Sequence, residues 1–379
     1  MKEILDERID RIDKCVLRGR RPRNIGHNAR LPRHGPLISD PVVRLHTSGG
    51  GMGLGWSSVD EATARQLLGA RLGDLFQLPE GSLARGEPID LPLWDLVARL
   101  LDMPLYRLLG ARGSRTVEVY DASIYIDDLE LDDDAARALF SEEVASGREY
   151  GYRDFKIKVG RGARWMAPEA GLARDALVVQ TVREAAGPEA RIMLDANMGN
   201  TLNSAQDLMT RVWDADIHWF EEPFAEDPAL NRAFKEFLLE RELETLVADG
   251  EFAPPPYFFE LVEDGWIDVA QQDFRGRGLT WWRAAAARLE QGPGRCAPHS
   301  WGSYVERFTH AHFAASTPNY ELLEAAPAYM PGVVEDAWDL RHGKYEVPDE
   351  PGCGFDVEER VFEDGVKDRD GFRLVYAKV

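Results

Sequence analysis

Cysteine is scarce in this chain: Cys15, Cys296 and Cys353 are the only three, an odd number scattered over 379 residues. That excludes a disulfide framework or a thiolate zinc spacing and points to a reducing compartment. Long apolar runs are missing too. No stretch approaches the roughly 20 residues of a membrane span. The opening M-K-E-I-L-D-E-R-I-D-R interleaves charge with apolar residues where a secretory signal needs an unbroken apolar core. Positive charge is in deficit, with 45 Lys plus Arg against 66 Asp plus Glu and a net charge of -21. So acidic a chain is a poor partner for nucleic acid or an anionic membrane. A soluble, cytoplasmic protein acting on a small molecule is expected. The glycine-rich G-G-G-M-G-L-G at 49–55 lacks both G-K-[ST] and the six-residue dinucleotide fingerprint, so it reads as a turn between strands.

Short apolar runs that each end in a polar residue are what the sequence does have. Ile192, Met193 and Leu194 form a continuous apolar run of the kind found in buried parallel strands, and Asp195 closes it. Ile217 to Phe220 repeat the pattern and end at Glu221, with a helically spaced stretch at 203–214 between. Further runs end at Glu251, Asp273, His299 and Glu324, and D-F-K-I-K-V-G upstream carries Lys156 and Lys158. From Asp195 onward the intervals are 26, 30, 22, 26 and 25 residues, close to one strand plus one helix each. In a closed barrel of parallel strands the carboxyl ends share one mouth, so these polar residues should meet there. Helices are expected over 135–149 and 169–184. The length suits such a barrel with a second, smaller α+β unit. The segments expected are a cap at 1–115, a barrel at 116–328 and a tail at 329–379, made of turns and short strands, that returns to the cap.

The residue types suggest the chemistry. Asp195, Glu221 and Glu251 offer hard oxygen ligands without thiolates or clustered histidines, which favours Mg²⁺ over zinc. Asp249 shares a strand face with Glu251, so either could be the third ligand. Lys156 and Lys158 share a face as well, and mutual repulsion should lower the pKa of at least one toward the range of a base. Asp273 beside His299 would fix the imidazole tautomer and raise its basicity. The stretch at 18–36 concentrates Arg18, Arg20, Arg21, Arg23, Arg30 and Arg33 with His27 and His34. It reads either as a solvated basic arm or as a loop that lids the mouth over an anionic substrate.

Taken in order, W-D-L and P-L-Y-R-L-L-G at 94–110, K-I-K at 156–158, L-D-A-N at 194–197, F-E-E-P at 220–223, D-G-E at 249–251, Asp273, P-H-S at 298–300 and Glu324 resemble the enolase superfamily, mandelate racemase subgroup. The resemblance spans nearly the whole chain. It implies an α/β fold, a (β/α)7β TIM-like barrel under an α+β capping domain built from both chain ends, and often a homo-oligomer. It implies Mg²⁺ on Asp195, Glu221 and Glu251, and removal of the proton α to a carboxylate through an enediolate. Lys158 and His299 would be the bases. Asp273 would pair with His299, Lys156 would contact the substrate carboxylate, and Glu324 would bond to it as charge develops. Asn197, Arg18, Arg20, His27, Arg275 and Trp301 are candidates for contacts to the rest of the substrate. F-R-G-R-G after Asp273, Trp301 after P-H-S, and Trp56 with Ser57 depart from common patterns and bear on which substrate is accepted. Dehydration of a sugar acid to a 2-keto-3-deoxy acid is the first expectation. Racemisation or epimerisation is the alternative, and a non-catalytic binding protein of the same fold the third.

Overall fold

A computed structural model of the chain describes residues 2–377. Met1, Lys378 and Val379, the outer ends of the expected 1–115 and 329–379 segments, lie outside the described residues.

After a short helix at Lys2–Asp6 come three antiparallel strands: β1 (Ile9–Arg20), β2 (Leu37–Thr47) and β3 (Met52–Trp56). The glycine-rich stretch turns β2 into β3, as expected. Helix α1 (Asp90–Leu100) packs across this sheet. It comes so close that a Cβ on Gly53 would meet the Leu96 backbone at 2.5 Å.

The alternating part follows as β4 (Thr116–Ile124), α2 (Asp133–Glu149), β5 (Asp154–Lys158), α3 (Pro168–Ala186), β6 (Ile192–Asp195) and α4 (Leu202–Arg211). It continues with β7 (Ile217–Glu221), α5 (Pro228–Glu240), β8 (Leu246–Asp249), α6 (Phe258–Glu263), β9 (Val269–Ala270), α7 (Phe274–Leu289), β10 (Arg295–Cys296), α8 (Glu306–Ser316) and β11 (Leu323–Ala325). Neighbouring strands from β4 to β10 pair in parallel. β11 pairs with β4, and a parallel bridge between Cys296 and Tyr320 closes the ring. The result is the (β/α)7β barrel.

Local signals set the helix starts. Asp132 accepts the Ala135 N–H at the head of α2, a cap that contributes about 1 kcal/mol. Pro168 occupies the first turn of α3, where its missing N–H costs nothing.

Side-chain alternation then sorts the core. Met193, Trp219, Ala248 and Val269 pack inside the barrel with Tyr120 and Leu322, while Ile192, Leu194 and Phe220 join the outer core beneath the helices. Because Met193 and Trp219 point inward, Asp195 and Glu221, two residues on, do so as well.

The tail holds β12 (Lys344–Glu346), antiparallel to β4, then α9 (Glu359–Val366) and β13 (Phe372–Val375), which pairs with β1. The helix corrects the expectation of turns and short strands alone: Val361 and Phe362 with Val366 give it one apolar face against the cap. Buried Asp40 of β2 ties cap to barrel by accepting the Tyr304 and Val305 N–H groups at 2.6 and 3.0 Å. Among the described residues no helix is long and apolar enough to cross a membrane.

Candidate active site

Strand register assembles the site. Lys158 of β5 lies level with Asp195 of β6, and Asp195 level with Glu221 of β7. Beyond β8 the alternation breaks, because Gly250 takes φ +119° and Phe252 φ +56°. That turn swings Glu251 into the mouth, and one ligand oxygen each from Asp195, Glu221 and Glu251 lies within 4.8 Å of the others. Gly250 also has no room for a side chain, since a Cβ would meet the Phe258 ring at 2.6 Å. Asp249 does not join the trio. It accepts the Gly250 N–H at 2.8 Å and faces Glu226 and Glu222, and burial with those neighbours pushes its pKa far up.

The three acids are fully or almost fully buried. Glu221 accepts from Lys156 Nζ at 2.6 Å, Gln271 at 3.0 Å and Trp219 Nε1 at 3.1 Å. Lys158 donates to Asp195, and Lys156 also reaches Glu324 at 2.8 Å. Burial raises Glu251 to about 7 against the pull of His299. Its buried Oε1 makes no hydrogen bond among the described residues, although His299 Nε2 lies 3.4 Å away. Carboxylates in excess of cations, an orphaned carboxylate oxygen and an all-oxygen donor set fit a hard divalent ion.

The lysine pair departs from the expectation. Burial alone would lower both ammonium groups, but Glu221 and Glu324 raise Lys156 far above its usual range and Asp195 does the same to Lys158. The acids across the mouth outweigh the mutual repulsion of the two lysines. Behind Lys158, the buried Arg161 donates to the Lys158 carbonyl at 3.3 Å and is held by Asp128 at 2.8 Å and Asp175 at 2.6 Å. Asp175 also accepts the Gly160 N–H at 2.8 Å, so the strand end carrying Lys158 is clamped.

Opposite, Asp273 and His299 form a parallel bridge, and Nδ1 of His299 donates to Asp273 Oδ1 at 2.7 Å. Burial pulls the imidazole down, but Glu251, Glu324 and Asp273 together raise it to about 10. Glu324 accepts the Ser300 N–H at 2.7 Å; despite burial, Lys156 and His299 hold it near about 2.

A cavity of about 380 Å³ has Glu251 in its wall and is lined besides by Asn28, Arg30 and Leu31 from the cap and by Asn197, Met198, Glu222, Glu226, Phe252 and Ala253. Asn197 is thus at the mouth, where its N–H donates to Asp195 at 2.9 Å and its amide to Glu222 at 3.3 Å. Arg18 and Arg20 are not brought there. β1 runs through both, and Arg18 points to solvent and pairs with Asp368. His27 spends Nδ1 on the Ile126 carbonyl at 3.1 Å and packs on Trp165. The arm delivers Arg30, Arg21 and His34 to the site instead.

Arg21 is buried with its guanidinium 4.6 Å from the Trp301 ring, and Trp301 stacks on Tyr125. Arg275 donates to the Trp301 carbonyl and pairs with Glu306 at 2.9 Å. It lies on the wall of a separate cavity of about 600 Å³ at the seam of cap and barrel, which contains none of the acids of the trio. Gln271, Trp219 and Arg161 carried no signal in the sequence, whereas Tyr125 follows the first barrel strand and its position could have been read.

A parallel barrel with two lysines, a carboxylate trio and an Asp–His pair at its carboxyl-end mouth is an arrangement suited to metal-assisted acid–base chemistry. Residues 140–361 match the family model described as enolase C-terminal domain-like, and the chain belongs to that family. A mandelate racemase/muconate lactonizing protein from Geobacillus sp., crystallised with magnesium and tartrate, superposes with a TM-score of 0.93 at 32% identity, covering 98% of each chain. Galacturonate dehydratase from Geobacillus sp., complexed with D-galacturonate and 5-keto-4-deoxy-D-galacturonate, gives 0.91 at 33% identity over 97% of this chain and 99% of that one. D-galactarolactone cycloisomerase of Agrobacterium fabrum is 30% identical over 290 residues, 73% of this chain and 72% of its own. Magnesium in the structural neighbours and the buried trio here agree on Mg²⁺ as the cofactor.

Proposed function

We propose that this chain is a Mg²⁺-dependent hydro-lyase that dehydrates a sugar acid, with a hexuronate as the first candidate. The observation that carries it is the convergence of Lys158 and His299 on either side of the trio. The choice of dehydration is supported by the likeness to galacturonate dehydratase along nearly the whole chain. In a hexuronate the carboxyl carbon is C6, so the α proton is on C5 and the β-hydroxyl on C4. The 5-keto-4-deoxy compound in that complex is therefore the 2-keto-3-deoxy acid when counted from the carboxylate.

Mg²⁺ on Asp195, Glu221 and Glu251 would neutralise these acids and stabilise the negative charge that builds on the substrate carboxylate as the α proton leaves. Lys156 binds that carboxylate, and Glu324, ionised while Lys156 and His299 face it alone, takes up a proton as the substrate carboxylate engages Lys156 and donates it in a hydrogen bond as the charge develops. Once the acids are engaged, the repulsion from Lys156 dominates at Lys158, and its amine comes into the range of a base. His299, its Nδ1 proton committed to Asp273, offers Nε2 on the other side.

Racemisation or epimerisation is the second reading, favoured by the presence of two bases. The test is a panel of uronates, aldonates and aldarates incubated with the purified protein and Mg²⁺. Keto acid is measured as its semicarbazone, and the α carbon is followed by NMR in heavy water. Keto acid from a hexuronate is expected. An epimer with α exchange but no keto acid replaces dehydration by the second reading, and neither exchange nor product rejects both.

A further inference from the structure

Tyr125 leaves the end of β4 at the barrel mouth and is 3% exposed. Its ring is wedged between named neighbours: Trp301 stacks on it at 4.9 Å, His34 meets it edge-on at 5.1 Å, and Lys158 Nζ lies 5.2 Å from its centroid. Every face of the ring is thus accounted for by packing. The hydroxyl is not. Among the described residues nothing donates to it or accepts from it, and the charges it feels are those of Lys158, Asp195, Lys156 and Glu324, the site itself. On a ring that is otherwise buried, a hydroxyl that no described residue engages is the part of Tyr125 left to meet something that arrives. His34, which meets the ring edge, already has its Nδ1 at 3.1 Å from the Gly26 carbonyl.

We propose that the Tyr125 hydroxyl is a further catalytic group of this site, the acid that protonates the β-hydroxyl as it departs on the Lys158 side of the substrate. The proposal rests on the dehydratase reading above. Lys158 Nζ takes the α proton and the electron pair moves onto the substrate carboxylate as an enediolate, which then collapses to form the bond between the α and β carbons as the β carbon–oxygen bond breaks. The departing oxygen takes the Tyr125 proton and leaves as water. The Lys158 ammonium returns the α proton to the tyrosinate, and the enol product tautomerises to the keto acid. One water is released and no oxidant or reductant is needed. Burial outweighs the pull of Lys158 on the phenol and holds it protonated far above neutral pH, so the proton is there to give.

Tyr125→Phe removes only the hydroxyl and leaves the stack with Trp301 and His34. It is compared with wild type on the sugar acid that wild type dehydrates, following keto acid formation, deuterium uptake at the α carbon, KM and melting temperature. A loss of about 100-fold or more in kcat for keto acid is expected, the scale of a positioned acid, with α exchange, KM and melting temperature preserved. Undiminished keto acid formation overturns the inference and leaves Tyr125 as packing. Loss of α exchange together with turnover also overturns it, because the hydroxyl would then serve the proton abstraction. A wild type that dehydrates no sugar acid overturns the dehydratase reading and this inference with it, an outcome visible in the wild-type arm alone.

Discussion

His299 and Asp273 leave neighbouring strands at one level, and the 2.7 Å bond from Nδ1 to Oδ1 turns Nε2 toward Glu251 at 3.4 Å. One residue pair therefore fixes both which imidazole nitrogen faces the mouth and which way it points. Asp273→Asn would keep the shape and supply an amide that no longer favours the same tautomer. We expect kcat to fall about 100-fold or more, within the range of acid–base contributions, with KM little changed. A variant that keeps wild-type kcat would show that Asp273 does not orient the base.

Metal binding should separate Glu251 from Asp249. Among the described residues each has a buried oxygen without a hydrogen-bond partner, but only Glu251 belongs to the trio, whereas Asp249 faces Glu226 and Glu222 and accepts the Gly250 N–H. Calorimetric titration with Mg²⁺ should show Glu221→Gln and Glu251→Gln weakened beyond the about 10- to 100-fold that loss of an outer partner costs. Asp249→Asn should stay within that range. If Asp249→Asn is the more damaging of the two changes near Gly250, the third ligand has been misassigned.

Much of this site was legible because buried parallel strands read as apolar runs, and a polar residue at the end of such a run has only the mouth to enter. Asp195, Glu221 and Lys158 follow from that alone. Glu251 does not, because alternation cannot choose between it and Asp249 without the positive φ of Gly250. The raised lysines were hidden for a different reason: the carboxylates that act on Lys158 come from other strands, and their distances depend on the closed barrel. The arm misled because its arginines look alike in sequence. β1 extends through Arg20, leaving Arg18 on an outer position, while Arg21 begins the crossing over the barrel.

Proton linkage gives a test of the metal-stripped protein. Glu251 lies at about 7 against 4.5, and His299 at about 10 against 6.5. Both values are raised in the folded state, so each group holds a proton that the unfolded chain has already released. The stabilisation is complete below the unfolded values and is lost as pH rises through about 7 and about 10. The melting temperature of chelator-treated protein should therefore fall from about pH 6 to about pH 9. Mg²⁺ must displace protons to bind, so the rise it produces should grow over the same interval. A Mg²⁺ effect that is flat or shrinks with pH would contradict the protonation of these groups.

The arginines of the arm offer the sharpest contrast between sequence and structure. Arg18 pairs with Asp368 at the surface, where solvent screening leaves such pairs little weight. Arg18→Ala should leave both kcat/KM and melting temperature unchanged. Arg21 is buried, has no carboxylate partner among the described residues, and rests on Trp301 with its Nη1 donating to the Leu37 carbonyl at 3.0 Å. Trp301 in turn follows His299 by two residues and stacks on Tyr125, so a shift of the indole reaches both. Arg21→Met keeps the apolar stem and removes the cation. A desolvated cation–π contact contributes about 1 to 2 kcal/mol, which corresponds to about 5- to 30-fold in kcat/KM if the loss is felt in the transition state. Steady-state kinetics on the accepted sugar acid decides between the two. Equal loss in Arg18→Ala and Arg21→Met would mean that the arm acts through its overall charge, and equal retention would mean that Trp301 is held without Arg21, by Arg275 and Tyr125 alone.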